Sequence, residues 1–121
     1  MAYLLVGVAG ALGALLRYLI GLLLFTESIF PFATLAINLI GCYILSYLSS
    51  VVLPKSRLPL TLQTAITSGF LGAFTTFSTF SLETVELVNR GEYLLSIVYV
   101  LISMIGGILM IKLGWNSEGS K

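Results

Sequence analysis

The sequence predicts an all-α membrane protein with four transmembrane helices, the third broken near its middle. Three observations carry that reading. Of 121 residues, 58% are hydrophobic and 9% charged, with a mean hydropathy of +1.07, where a soluble domain carries about 25% charged residues. The charges divide the chain into long apolar runs: 28–54, 58–82 and 93–111 hold none, and 1–26 holds only Arg17. Runs of about 18 or more apolar residues span a bilayer, and in lipid the backbone satisfies itself most simply as a helix. Third, Thr75–Ser81 contains no aliphatic residue inside one of those runs. Residues 1–121 therefore read as a single integral membrane domain, with helices at about 2–25, 32–53, 60–89 and 93–114.

Helix one carries Gly7, Gly10, Gly13, Ala9, Ala11 and Ala14. Gly7 with Ala11 and Gly10 with Ala14 are small-xxx-small pairs that let helix backbones approach closely. Arg17 is costly in a span, about 2.5–3.5 kcal/mol on insertion scales. It either snorkels to the nearer interface or sits at a polar vestibule that attracts an anion. Helix two, after Pro31, places Thr34 and Asn38 four residues apart on one face. Asn38 either ties helices together or offers its amide to a passing ion. Prolines 54 and 59 bound the next loop, and Gly91 is a plausible C-cap between the last two helices.

The third segment is the unusual one. Five of the seven residues Thr75–Ser81 carry hydroxyls and two are Phe, with Gly69 and Gly72 just before them. As one straight helix, 60–89 would run about 45 Å, too long for a core of about 30 Å. A break near Gly72–Thr76 resolves both oddities, because broken helices at membrane depth line cavities or hold ions. Beyond the break, Thr76, Thr79, Glu83, Glu86 and Arg90 fall on one helical face. Phe77 and Phe80 lie beside that face; the four phenylalanines 70, 74, 77 and 80 form either an aromatic core stripe or part of an ion path.

Other chemistries fall away. There is no His and no Asp, and Cys42 is the sole cysteine, so neither an internal disulfide nor a Cys/His zinc site can form. No His-dependent nucleophile–base pair and no Gly-rich phosphate loop is present, and the chain reads as a non-enzyme. A net charge of +1 gives no field for nucleic acid. No cation precedes the first apolar run, which is too long for a signal peptide. Lys55, Arg57, Lys112 and Lys121 on one side against Arg90 on the other favour an N-in orientation, by a margin small enough to leave both insertions open. Hydroxyls, an amide, positive ring edges and an arginine suit a small anion.

These motifs resemble the Fluc family of fluoride channels, the CrcB-type exporters. The matching residues are Gly-x-x-Gly-Ala-x-x-Arg-Tyr from Gly10 to Tyr18, then Thr34 and Asn38-Leu39-Ile40-Gly41. The most specific match is Gly69-Phe70-Leu71-Gly72 leading into Thr75-Thr76-Phe77-Ser78-Thr79-Phe80-Ser81-x-Glu83. The resemblance covers nearly the whole chain. It implies a multi-pass protein of the cell's inner (plasma) membrane that passively exports fluoride from the cytoplasm. It further implies an antiparallel homodimer of dual topology, with two pores and a central structural Na+. On that resemblance Phe77 and Phe80 are pore phenylalanines, Asn38 the pore amide, and Ser78, Thr79 and Glu83 polar lining. Tyr99 and Ser103 complete the pore, Arg17 is the vestibule cation, and the backbone carbonyls of Gly72 and Thr75 hold the sodium. The alternative is a small multidrug-type exporter of four helices. Such a carrier calls for an embedded carboxylate where the first helix has Arg17.

Overall fold

A computed structural model describes residues 1–24 and 27–117; the expected end of the first helix at residue 25 and the charge of Lys121 fall outside them. All regular structure among the described residues is helical. Helix α1 spans Ala2–Leu23, α2 spans Phe32–Lys55, α3 runs over 60–74, α4 spans Phe77–Asn89 and α5 spans Tyr93–Asn116. Helices α1, α2 and α5 are each long and apolar enough to cross a membrane. The third segment, expected to be broken near Gly72–Thr76, is two half-helices, α3 and α4, interrupted at Thr75 and Thr76. At 1.5 Å per residue these reach only about 20 Å each, so neither spans a core of about 30 Å alone.

Local chemistry sets the ends. Pro31 precedes α2, and Pro59, with φ −60° and ψ 150°, precedes α3. Pro54 lacks an amide hydrogen and would crowd the carbonyl four residues back in a regular helix. The last turns of α2 accommodate it by widening to π geometry over Leu48–Val52 and then tightening to a 3-10 turn at Leu53–Lys55. Helix α4 ends at Gly91, whose φ of 78° a side chain would resist. Gly91 N and Glu92 N then bond back to Val88 O and Leu87 O at 3.0 and 2.9 Å.

Two close helix pairs organise the subunit. α1 lies against the π-helical stretch Ala65–Leu71 of α3. A Cβ on Gly13 would overlap the carbonyl of Phe70, and one on Gly69 would come within 2.8 Å of Val6 O. Gly7, by contrast, has open space around it, so this pairing uses Gly10 and Gly13 rather than Gly7. α2 lies against α5, where Gly114 meets Tyr43 O and Ser46 Oγ donates to Ile111 O at 2.6 Å. Ile37, Leu71 and Phe74 form a small buried core at the centre, backed by Ile20, Ile44, Leu48 and Phe70. Most other large apolar side chains face outward, among them Leu12, Leu19, Leu94 and Ile108, as expected where hydrocarbon replaces water.

Candidate functional site

The site grows out of the break between α3 and α4. Thr75 turns extended at ψ 155°, and Thr76 follows at φ −145°, ψ 119°. Two amides that would continue the helix are diverted. Thr76 N, the usual partner of Gly72 O, donates instead to Asn38 Oδ1 at 2.8 Å. Thr79 N, the usual partner of Thr75 O, donates instead to Thr76 Oγ1 at 3.1 Å, making Thr76 the N-cap of α4. The Gly72 and Thr75 carbonyls, the two named on the resemblance, thus lose their usual helical donors to side-chain acceptors at the break. Asn38 Nδ2 donates to Thr76 O at 2.9 Å, so the amide brackets both polar groups of one backbone residue. Asn38 therefore ties α2 to the break, with one of its two Nδ2 hydrogens still uncommitted to Thr76.

One turn outward, Glu83 is held from two helices. Thr34 Oγ1 donates to its Oε1 at 2.7 Å, and Tyr99 OH donates to its Oε2 at 2.8 Å. Tyr99 is fully buried. Phe80 lies against it at a centroid distance of 5.1 Å, and Phe30 meets its ring edge-on at 5.5 Å. Thr34 and Phe30 are site residues that the sequence did not single out by role. For Thr34 the signal was present, since it shares the Asn38 face of α2; for Phe30, in a loop, there was none.

Three cavities connect these groups. One of about 290 Å³ is lined by Ser28, Phe30, Thr34, Glu83, Glu86 and Arg90 among others. A second, of about 300 Å³, is lined by Arg17, Tyr18, Thr34, Thr76 and Thr79. The third, of about 340 Å³, is lined by Asn38, Cys42, Thr75, Thr76, Phe77, Phe80 and Ser103. Thr34 belongs to the first two and Thr76 to the last two, so the hydroxyl groups form the walls between them. The Arg17 cavity has no carboxylate in its lining, and Arg17 Nε is buried without a hydrogen-bond partner among the described residues. Ser78 and Gly72 face outside these cavities and are exposed. The four phenylalanines divide: Phe74 is buried and stacks on Phe70 at 6.5 Å, whereas Phe77 is 79% exposed and sits 5.8 Å from Phe80.

Comparison with known proteins bears on what this arrangement is for. The family model described as "CrcB-like protein, Camphor Resistance (CrcB)" matches residues 4–115. The chain belongs to the CrcB-like family. A relative in Listeria innocua named "Fluoride-specific ion channel FluC 2" is 50% identical over 94% of this chain and 88% of its own length. One in Desulfitobacterium hafniense named "Fluoride-specific ion channel FluC 1" is 53% identical over 86% of this chain and 91% of its own. A Bacillus cereus protein of the same name is 46% identical over 96% and 86%. Membership of the CrcB-like family makes the chain a multi-pass integral membrane protein rather than an enzyme, and it displaces the multidrug-exporter alternative.

Proposed function

We propose that this CrcB-like protein is a fluoride-selective channel that lets fluoride leave the cytoplasm passively across the cell's inner membrane. The observation that carries the reading is the helix break. It creates a new helix N-terminus at the start of α4, where the Phe77 and Ser78 amides and the helix dipole favour an anion. Thr76 and Thr79 supply hydroxyls there, and Arg17 faces the same two threonines across a cavity lined by no acid. Fluoride is small and strongly hydrated, so a path must replace its shell with such donors and with positive ring edges. On this reading Asn38, Phe77, Phe80, Thr79 and Ser103, which line the cavities, take that part, while Tyr99 acts from behind Glu83 and Ser78, outside the cavities, contributes its backbone amide.

Glu83 is a carboxylate on an anion's route, and its surroundings explain how it is tolerated. Thr34 and Tyr99 each satisfy one of its oxygens, which leaves less of its charge facing the path. The subunit's exposed apolar faces and its weak charge bias support an antiparallel homodimer inserted in both orientations. The Gly72 and Thr75 carbonyls, separated from their helical donors, suit a hard monovalent cation with oxygen ligands. Two such carbonyls from each subunit would hold a structural Na+, whose role would be to neutralise the carbonyl ends of the broken helices. The test is fluoride efflux from liposomes carrying the purified protein, read with a fluoride electrode. Efflux of fluoride without chloride is expected; efflux no faster than from empty liposomes would overturn the proposal.

A further inference from the structure

We infer that Gly41 is a positioning residue, and that its missing side chain is the notch in which Thr75 is seated. α2 addresses the broken segment from successive turns of one face. Thr34 bonds Glu83, Asn38 brackets Thr76, and Gly41, three residues on, meets Thr75. Gly41 is buried, and a Cβ there would overlap the Thr75 Cγ2 methyl while standing 3.4 Å from Phe74 Cδ1. The methyl has little freedom to yield. Thr75 Oγ1 donates to Leu71 O at 3.0 Å, the same carbonyl that accepts Thr75 N at 3.0 Å. That hydroxyl bond selects one rotamer of a β-branched side chain, and in that rotamer the methyl occupies the Gly41 notch. A side chain at position 41 must therefore either break the hydroxyl bond or push back the Thr75 backbone. Thr75 is the residue at which the chain leaves the helix, with ψ 155°. Its carbonyl direction, and the entry of the Thr76 bracket, follow from how it is seated.

The inference rests on the channel reading for its functional consequence and on packing for its geometry, and the two are separable by a double-mutant cycle. Gly41→Ala introduces the collision. Thr75→Ser removes the colliding methyl but keeps the hydroxyl for Leu71 O. Gly107→Ala is the control, because a Cβ there meets only Cys42 Sγ at an ordinary 3.8 Å. Fluoride efflux per assembled protein should fall at least tenfold in Gly41→Ala and stay within twofold of wild type in Gly107→Ala, with Thr75→Ser measured as the baseline for the double variant. In Gly41→Ala/Thr75→Ser it should lie within about threefold of Thr75→Ser alone, so that the Gly41→Ala loss disappears once the methyl is gone. Thermal melting in detergent should show the same recovery. Unchanged flux in Gly41→Ala, or a double variant no better than the single one, would overturn the positioning role. If the wild type itself passed no fluoride, the channel reading would fall. The melting cycle would still decide the notch: recovery in the double variant would support it, and no recovery would reject it.

Discussion

Replacing Asn38 with Leu removes both hydrogen bonds that bracket Thr76, at 2.8 and 2.9 Å, while roughly keeping side-chain volume. Both bonds are partly buried. A lost bond of this kind costs about 1–2 kcal/mol, the lower end being usual between membrane helices. The pair then amounts to about 2–4 kcal/mol. The effect is directed, because the released Thr76 amide lies two residues past the end of α3. It can donate to Gly72 O and anneal the helix through the break. At tenfold per 1.4 kcal/mol, the balance between broken and annealed forms shifts by about 30- to 700-fold. Fluoride efflux from liposomes should fall by at least about 30-fold, with the protein still eluting as an assembled species on size exclusion. Efflux within threefold of wild type, in a protein of unchanged melting temperature, would refute the claim that this amide maintains the break.

Three further outcomes are expected. Phe77→Ile and Phe80→Ile keep the sites apolar but remove the ring edges, so each should lower fluoride efflux at least tenfold with assembly intact. Phe70→Ile should act only on stability; near-normal flux in both Phe77 and Phe80 variants would remove the rings from the path. Gly13→Ala places a methyl on the Phe70 carbonyl and should destabilise by about 1–3 kcal/mol, the usual range for overpacking. Gly7→Ala, in open space, should be silent in the same melting experiment. Accessibility labelling of Lys55 in sealed vesicles should find it on both sides of the membrane, whereas a single-sided result would reject the antiparallel dimer.

The membrane class and the existence of a break were legible in the residues alone, because both rest on local, additive properties. Hydropathy sums along the chain whatever the neighbours do, and a seven-residue run of hydroxyls and phenylalanines after two glycines marks a non-lipid environment in any packing. The Gly91 cap and the prolines at 31, 54 and 59 belong to the same category, being statements about one residue's own φ and amide. What the sequence left open were choices between partners. Asn38 could tie helices or face an ion; its pairing with Thr76, 38 residues away, is made by the crossing of α2 over the break. Glu83, Thr34 and Tyr99 come from three helices, and nothing in their spacing specifies that they converge. The same holds for equal residues in unequal places. Gly7 and Gly13 read alike, yet only Gly13 meets a carbonyl; Phe74 and Phe77 read alike, yet one is core and the other exposed. Side-chain periodicity assigns a residue to a face of its own helix, but the rotation and depth of that helix against its neighbours decide what the face touches. Those are set by the close-packed seams at Gly10, Gly13, Gly69 and Gly114, which exist only once the helices have been brought together.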